Sequence, residues 1–259
     1  MAETIAVLSL KGGTGKTTTV RTLSDVLRRV GLDVLAIDLD PQGNLSDYFD
    51  VPPDASPTIA DVLAGDAKAK AAVHDGIVPA TPILAEVERS MSGKMGRELV
   101  LRKALKDARK QHDVILIDCP PALGLLTING LVAADWALIS SEAQYFALQG
   151  VQGALEVIEQ AKEFYNPDLE WLGVVMNIAD MRTVHSREAY SQLKEHYDDK
   201  VFDTVIRSSI AYAESAERAQ SILDHRPDLG ADYLALADEV LERVGLRDAR
   251  RALKPLLAG

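Results

Sequence analysis

The amino-acid sequence predicts one α/β domain in which a mostly parallel, twisted sheet is flanked by helices on both faces. Short apolar runs with the length of buried strands alternate along the chain with longer stretches of helical periodicity. The 259 residues are enough to enclose a well-buried core, and no linker rich in Pro, Gly or Ser divides them. We therefore expect a single domain that spans residues 1–259.

The apolar runs and the helical stretches give the order of the elements. The predicted strands are Ile5–Leu10, Val34–Leu39, Val114–Ile117, Trp136–Ser140 and Leu172–Met176. The predicted helices are Thr17–Val30, Glu98–Gln111, Leu148–Phe164, Ser186–Tyr197 and Ala231–Val244. Prolines break the region from Val51 to Arg97 into short pieces, so only a short helix near Thr58–Ala64 is expected there.

Composition limits the classes of function. The net charge of −11 argues against a protein that coats nucleic acid with its whole surface, because phosphate contacts need Lys or Arg concentrated on one face. Two stretches, Arg97–Lys110 and Arg243–Lys254, are locally basic. Each is either a solvated helix face or a local patch for DNA.

Cysteine and histidine usage indicates neither a disulfide nor a structural metal site. Cys119 is the single cysteine, and the five histidines are scattered. The chain has no apolar segment of about 18 residues, the least that a membrane-spanning helix needs, and no basic signal region. We therefore expect a cytoplasmic protein.

A glycine-rich loop follows the first predicted strand and precedes the first predicted helix. It reads Lys-Gly-Gly-Thr-Gly-Lys-Thr-Thr, from Lys11 to Thr18. This is a variant of the Walker A loop, because Leu10 takes the place of the usual first glycine and Lys11 is an additional lysine. Strand, loop and helix in this order predict a P-loop NTPase domain.

Each residue type in this loop has a role in phosphate binding. The glycines let backbone N–H groups converge on phosphate oxygens at the positive end of the helix. Lys16 would neutralise the β- and γ-phosphates, Thr17 would offer a hydroxyl to Mg²⁺, and Thr18 would bond a more distal phosphate oxygen. The predicted nucleotide-binding residues of the loop include Gly12, Gly13, Thr14, Gly15, Lys16, Thr17 and Thr18.

Three aspartates lie at the ends of predicted strands, at the edge of the sheet where ligands bind in such folds. Asp118 ends an apolar strand, which is typical of the Walker B acid that holds Mg²⁺ directly or through water. Asp38 and Asp40 end another strand, one residue apart. We expect Asp38 to lie near Mg²⁺ and Asp40 to orient the attacking water.

Asn177 ends the strand that includes Val174–Met176. Its amide could read the adenine edge through one donor and one acceptor. An asparagine that simply closes a strand into a turn is an equally good interpretation.

Taken together, these motifs resemble the ParA/MinD group of deviant Walker A ATPases, and most closely the small chromosomal ParA (Soj) partition proteins. The resemblance runs nearly from end to end. It rests on four ordered segments, which are KGGTGKTTT at 11–19, DLDPQGN at 38–44, IDCPPALGLLTING at 117–130 and YFALQG at 145–150.

The resemblance implies that ATP controls dimerisation. In that family the extra lysine, here Lys11, reaches across a two-fold sandwich dimer to the partner's ATP, where a cation stabilises charge on the transferring phosphoryl group. The implied catalytic residues are Lys11, Lys16 and Asp40. The segment from Asp118 to Pro121 corresponds to a nucleotide-sensing switch, in which Cys119 is expected to be a small buried residue.

The resemblance also implies that the ATP dimer binds double-stranded DNA without sequence preference, and that a ParB-like partner on a cargo stimulates hydrolysis. Such cycles partition chromosomes or plasmids, or position another cargo over the nucleoid. Arg182 is the implied phosphate contact, and Arg207 is a second candidate. Two family arginine positions carry Ser208 and Ala211 instead, so DNA binding is less firmly implied than ATP binding.

Two alternatives belong to other classes. A MinD-like, membrane-associated regulator of cell division needs a terminal amphipathic helix, but Pro255 is expected to interrupt the tail Leu246–Leu257, and no aromatic anchor is present. An iron–sulfur carrier needs several cysteine ligands, whereas only Cys119 is available.

Overall fold

The computed structural model describes residues 1–144 and 146–257. Seven strands form one sheet in the order β3-β2-β4-β1-β5-β6-β7, and every neighbouring pair of strands is parallel. The strands are β1 (Glu3–Leu8), β2 (Val34–Asp38), β3 (Ile77–Val78), β4 (Val114–Asp118), β5 (Trp136–Glu142), β6 (Glu170–Ala179) and β7 (Val201–Arg207).

Thirteen helices in the described ranges surround the sheet. They are α1 (Lys16–Arg29), α2 (Asn44–Tyr48), α3 (Ile59–Ala64), α4 (Ile83–Met91), α5 (Val100–Ala104), α6 (Ala108–Gln111), α7 (Leu125–Ala133), α8 (Ala147–Phe164), α9 (Val184–Tyr197), α10 (Ala211–Glu217), α11 (Ile222–His225), α12 (Pro227–Arg243) and α13 (Arg247–Leu257). Short 3₁₀ turns at Ala69–Ala72, Arg97–Leu99 and Asp198–Lys200 complete the chain order.

The sheet has a separate apolar core on each face. Alternate residues of β1 belong to different cores, because successive side chains of a strand point to opposite faces. Ala6 and Leu8 pack in the core under α3, α4, α5, α7, α8 and α9. Ile5 and Val7 pack in the core under α1, α2 and α10 to α13. The predicted α/β class, with a parallel sheet covered on both faces, is confirmed.

All five predicted strands exist, with ends shifted by a few residues, and two further strands were not predicted. β3 has only two residues, which is too short to give a periodic signal, and β7 carries Asp203 and Thr204 in the middle of an edge strand. The first strand ends at Leu8, before the predicted end at Leu10, because the chain turns there into the glycine-rich loop.

The predicted helix Glu98–Gln111 is broken. A 3₁₀ turn, α5 and α6 replace it, and the backbone N–H of Lys106 bonds the carbonyl only three residues back, at Lys103. The turn keeps Leu101 and Leu105 buried, so the apolar periodicity is satisfied without a continuous helix. The predicted short helix near Thr58 is present as α3, with a capping box between Thr58 and Asp61.

The tail forms helix α13, which continues through Pro255 rather than stopping there. Proline lies in the last turn of this helix, where it disrupts only one backbone hydrogen bond. Ala249 and Leu253 are buried on the core, whereas Leu256 and Leu257 are about two-fifths exposed, at 39% and 42%. No helix in the described part of the chain combines the length and the apolar character needed to cross a bilayer.

Candidate nucleotide-binding site

The glycine-rich loop joins the carboxyl end of β1 to the amino end of α1. Gly13 and Gly15 have φ values of 76° and 83°, in the left-handed region that glycine adopts at little cost. A Cβ atom at Gly15 would also lie 3.3 Å from the Asn177 side chain. The loop therefore needs glycine at position 15 both for its backbone conformation and for its close approach to β6.

Ser9 holds the interior of this loop. Its hydroxyl donates to the Lys11 carbonyl at 2.7 Å and accepts from Thr14 Oγ1 at 2.9 Å and from Lys16 Nζ at 3.2 Å. Lys16 is only 6% exposed, so its ammonium group lies inside the loop rather than in solvent. Ser9 was not among the predicted site residues, although its place two residues before the loop was a usable signal.

Thr17 and Asp118 meet at the start of α1. The Thr17 hydroxyl donates to Asp118 Oδ2 at 2.7 Å, while Asp118 Oδ1 is buried and has no hydrogen-bond partner among the described residues. Burial raises the pKa of Asp118 to about 8, and the nearby Asp38 carboxylate adds to the rise. A buried acid with one unpaired oxygen is suited to receiving a cation.

Asp38 lies beside Asp118, because the two residues are paired in register on β2 and β4. The Asp38 carboxylate accepts hydrogen bonds from Asp40 N at 3.0 Å, Ser46 N at 3.0 Å and Ser46 Oγ at 2.8 Å. Burial still raises its pKa to about 6. Ser46 Oγ in turn accepts from Ala80 N at 2.9 Å, which ties the proline-broken region to this acid pair.

Asp40 is less buried than Asp38 and lies at the beginning of the next turn. Its Oδ1 accepts a hydrogen bond from Gln42 N at 3.0 Å, which fixes the carboxylate with respect to the backbone. The two neighbouring acids therefore differ in environment: Asp38 is buried and accepts three hydrogen bonds, whereas Asp40 is partly open to solvent.

This edge of the sheet offers a small number of oxygen ligands that suit Mg²⁺. The Thr17 hydroxyl and the unpaired Asp118 oxygen are adjacent oxygen donors, with Asp38 beside them. In residues 1–144 and 146–257, no cluster of three or more His, Cys, Asp or Glu side chains could hold a metal ion. Mg²⁺ is commonly held by one or two protein groups together with phosphate and water, so the donor set suits a metal that arrives with a nucleotide.

A cavity of about 600 Å³ extends from the loop towards β7 and α12. Asn177 forms part of its wall, and its Nδ2 donates to Ser140 Oγ at 2.6 Å and to Thr19 Oγ1 at 3.3 Å. Asn177 Oδ1 is buried without a partner among the described residues. This leaves one acceptor available to a base, while Ser140 also braces the loop by donating to Thr14 O at 2.7 Å.

Three tyrosines from different helices contribute to the same cavity, and none of them was among the predicted site residues. Tyr48, Tyr212 and Tyr233 come from α2, α10 and α12, and the rings of Tyr212 and Tyr233 meet edge to face with centroids 6.0 Å apart. They are far apart in sequence, so only the fold brings them together.

Lys11 does not contribute to this cavity and instead lies in a separate cleft of about 150 Å³. Its Nζ donates to Glu142 Oε2 at 2.7 Å and to Gln144 Oε1 at 2.8 Å, and its side chain is 61% exposed. The two lysines of the loop are therefore directed to different places. Tyr145, part of the resemblance, lies outside the described residues.

The two arginines predicted to contact DNA are both paired with acids. Arg182 is 91% exposed, and it forms two hydrogen bonds to Asp180 at 2.8 and 2.9 Å. Arg207 lies in the wall of the nucleotide-sized cavity and pairs with Asp232 at 2.9 Å. Its guanidinium also donates to the Asp228 carbonyl. Arg182 is the more accessible of the two, and DNA contact by either one stays a prediction.

Comparison with known proteins gives matches over most of the chain. Residues 2–171 match a family model described as an AAA domain. The chromosome-partitioning ATPase Soj of Thermus thermophilus is 38% identical over 246 residues, covering 93% of this chain and 96% of that protein. The sporulation initiation inhibitor protein Soj of Bacillus subtilis is 36% identical over 249 residues, covering 93% of this chain and 98% of that protein.

Solved structures share the fold. Cobyrinic acid a,c-diamide synthase from Mycobacterium smegmatis, with bound ATP analogue and magnesium, is 34% identical with a TM-score of 0.76, covering 87% of this chain and 96% of that chain. The septum site-determining protein MinD from Pyrococcus horikoshii, complexed with Mg-ADP, is 27% identical with a TM-score of 0.77, covering 95% of this chain and 98% of that chain.

Proposed function

Because the chain belongs to the AAA-domain family of Soj and ParA chromosome-partitioning ATPases, we propose that it binds ATP with Mg²⁺ and hydrolyses it to ADP and phosphate. The proposal rests mainly on the contact between Thr17 and Asp118. The hydroxyl of Thr17 donates to Asp118 at 2.7 Å, and the other Asp118 oxygen is buried with no hydrogen-bond partner in residues 1–144 and 146–257. These oxygen donors, next to a phosphate-binding loop, suit Mg²⁺ together with the terminal phosphates of a nucleotide.

Each residue has a distinct part in the proposed reaction. The backbone amides of the loop and the Lys16 ammonium group bind the phosphates. Thr17 and Asp118 would hold Mg²⁺, which would neutralise charge on the β- and γ-phosphate oxygens. Asp40 orients the attacking water, because its carboxylate is fixed by Gln42 N and partly open to solvent. Asn177 Oδ1 accepts from the adenine amino group.

Lys11 acts in a dimer. Its exposed ammonium group lies outside the nucleotide cavity of its own protomer, so it is available to a second copy once it leaves Glu142 and Gln144. A cation from the partner would stabilise the charge on the transferring phosphoryl group. ATP then links occupancy of the site to formation of a sandwich homodimer.

The ATP dimer binds double-stranded DNA without sequence preference, and a ParB-like or cargo-adaptor protein stimulates hydrolysis. Arg182 is the principal phosphate contact, because its guanidinium group is almost fully exposed. The cycle partitions a chromosome or plasmid, or positions another cargo, in the cytoplasm and over the nucleoid. The Soj relatives, which cover nearly the whole chain, support this proposal.

The test is binding of the Asp40→Ala variant to random-sequence duplex DNA with ATP, with ADP and without nucleotide, across a salt series. We expect binding to DNA only with ATP. The affinity should fall as the salt concentration rises, with a slope that reflects several phosphate contacts. The double variant Lys11→Ala with Asp40→Ala is the control, since it should bind ATP but not dimerise. Equal DNA binding in all three nucleotide states would contradict the switch.

The second candidate is a MinD-like regulator that associates with membranes, favoured by the fold shared with MinD and by the amphipathic helix α13. Burial of Ala249 and Leu253 counts against it, because those side chains are not free to enter a bilayer. Sedimentation with vesicles of anionic phospholipid separates the candidates. ATP-dependent binding to vesicles, with no binding to DNA, would favour the second.

A further inference from the structure

A second large groove, of about 560 Å³, lies away from the nucleotide cavity. The end of α3 and the turn that follows it form one side, and α5 and α6 form the other. Helix α6 ends just before β4 begins, so this groove lies towards the amino edge of the sheet. The phosphate-binding loop follows the carboxyl end of β1, at the other edge. The groove is therefore separate from the proposed ATPase site.

Positive charge is concentrated around this groove in a chain whose net charge is −11. Lys68, Lys70, Lys103 and Lys110 line it, and Asp107 is the one acid among its described lining residues. Asp107 already pairs with Lys110 at 3.0 Å. The other three lysines have no carboxylate partner in residues 1–144 and 146–257, and all four are exposed.

The neighbouring arginines differ from these lysines. Arg97 pairs with Glu98 at 2.9 Å, and Arg109 pairs with Asp135 at 2.6 Å. In the other basic stretch, Arg250 pairs with Asp238. Around the groove, Lys103 of the first basic segment therefore joins Lys68 and Lys70 as exposed cations that form no ion pair within the described residues. Such a surface attracts an anionic ligand.

The floor of the groove is apolar, which narrows the class of ligand. Val62, Ala69 and Ala108 are buried beneath it, and Ala67 and Ala104 are partly buried beside them. None of the described lining residues is aromatic, so the groove offers no ring on which a nucleic-acid base could stack. A phosphate backbone would pair with the lysines but would leave the apolar floor unused.

We propose that this groove binds an acidic amphipathic peptide segment of a partner protein. Glu or Asp side chains of that segment pair with Lys68, Lys70, Lys103 and Lys110 at the rim, and an aliphatic side chain covers the Val62 and Ala108 floor. This partner is distinct from a protein that acts at the ATP site, and its binding does not require nucleotide.

The probe for this groove is a fluorescein-labelled helical peptide of Glu and Leu, with Leu at helical spacing along one face. Fluorescence anisotropy with the full chain should give saturable binding with a Kd on the order of 10–100 μM, weaker at high salt. The double variant Lys68→Glu with Lys103→Glu should weaken binding by about tenfold or more, because two attractions become repulsions. This double variant should retain ATP binding and the melting temperature of the unchanged protein.

The matched control is Lys94→Glu with Lys254→Glu, which changes the net charge equally at exposed sites that do not line the groove. Peptide affinity should stay within about twofold of the unchanged protein. Coupling of peptide carboxylates to lysine with a carbodiimide should label the four rim lysines. Equal loss of affinity in both double variants, or labelling spread over other lysines, would overturn the proposal.

Two competitors identify the ligand class. A peptide with Gln in place of Leu keeps the charge and should bind at least about fivefold more weakly, because it cannot use the floor. Random-sequence duplex DNA should not displace the Glu/Leu peptide at equal concentration. Equal binding of the Gln peptide would mean that the apolar floor is not used. Displacement of the Glu/Leu peptide by DNA through the same lysines would mean that the groove is an anion site for phosphate. Either result would show that the proposal is wrong.

Discussion

Lys11 Nζ lies 2.7 Å from Glu142 Oε2 within a single protomer, and Gln144 Oε1 accepts a second hydrogen bond at 2.8 Å. Gln144 Nε2 also donates to Glu142 Oε1 at 2.6 Å, so the two acceptors hold each other in place. The lysine assigned to the partner's nucleotide is thus engaged in its own chain. In the proposed dimer, this contact has to be exchanged for a contact with the partner's phosphates.

We expect Glu142→Gln to promote ATP-dependent dimerisation. The substitution removes the charge that holds Lys11 but keeps the side-chain shape, and an exposed ion pair of this kind is worth about 0.2–1 kcal/mol. In the Asp40→Ala background, dimers should form at about two- to fivefold lower protein concentration, measured by analytical ultracentrifugation with ATP. Glu159→Gln, an exposed acid on α8, is the control. Weaker dimerisation would mean that Glu142 itself works across the interface.

Asp40→Ala should stop turnover without loss of ATP binding. The Asp40 carboxylate is assigned to the attacking water and does not lie in the phosphate-binding loop, so nucleotide affinity should change by less than about threefold. Phosphate release should fall by at least about a hundredfold, the usual contribution of a group of this kind. Asp54→Ala, an exposed acid in the following loop, should behave as the unchanged protein. A normal hydrolysis rate in Asp40→Ala would show that another group orients the water.

Asp180→Asn should strengthen binding to DNA. Hydrogen bonds from Arg182 lower the pKa of Asp180 to about 2. A lowered carboxyl pKa means that the charged pair is intact above that pH and is lost only as pH falls through it, so the carboxylate competes with DNA at every pH of practical interest. Its removal should raise affinity for random duplex DNA about threefold or more in a filter-binding assay with ATP.

The control for this change is Asp168→Asn, which alters the net charge equally at another exposed position. Arg182→Ala should lower DNA affinity and reduce the steepness of its salt dependence. An Asp180→Asn protein that binds no better than the Asp168→Asn protein would indicate that Arg182 does not contact phosphate.

Ser46→Ala should destabilise the fold. Ser46 Oγ donates to buried Asp38 and accepts from Ala80 N, so its loss leaves two buried polar groups without this partner. The expected loss in free energy of unfolding is about 1–3 kcal/mol, measured by urea denaturation. Ser92→Ala, at an exposed position, should cost less than about 0.5 kcal/mol. Equal stability of the two variants would rule out a structural role for the Ser46 hydroxyl.

The parts of the site that lie within one stretch of sequence were predictable. The loop, the acids at strand ends and the helix after the loop each have a local pattern, because strand, turn and helix preferences are set by neighbouring residues. Parallel strands then bring Asp38 and Asp118 to one edge without further information. For the same reason, the apolar periodicity of α1 and α8 placed these helices within one residue of their observed starts.

The contacts between distant segments could not be predicted. Tyr48 and Tyr212 reach the same cavity from α2 and α10, and no local pattern marks a residue that becomes close only through tertiary packing. The same holds for Lys11 and Glu142, which are separated by 131 positions. The predicted helix around Leu105 failed for the opposite reason. Its apolar periodicity correctly marked the buried residues, but tertiary packing buries them with short helices and a turn instead of one continuous helix.

The hydrogen bond from Ala80 N to Ser46 Oγ has a consequence for protein engineering. To change which partner protein binds, a designer could replace residues 51–97 with the corresponding segment of a relative, as if that segment were independent of the rest of the fold. In this fold the segment is linked by hydrogen bonds to Asp38, which lies beside the proposed Mg²⁺ site, through the Ser46 hydroxyl and the Ala80 backbone amide. A graft therefore has to carry the Ser46 and Ala80 junction with it, or the donor segment will alter catalysis as well as recognition.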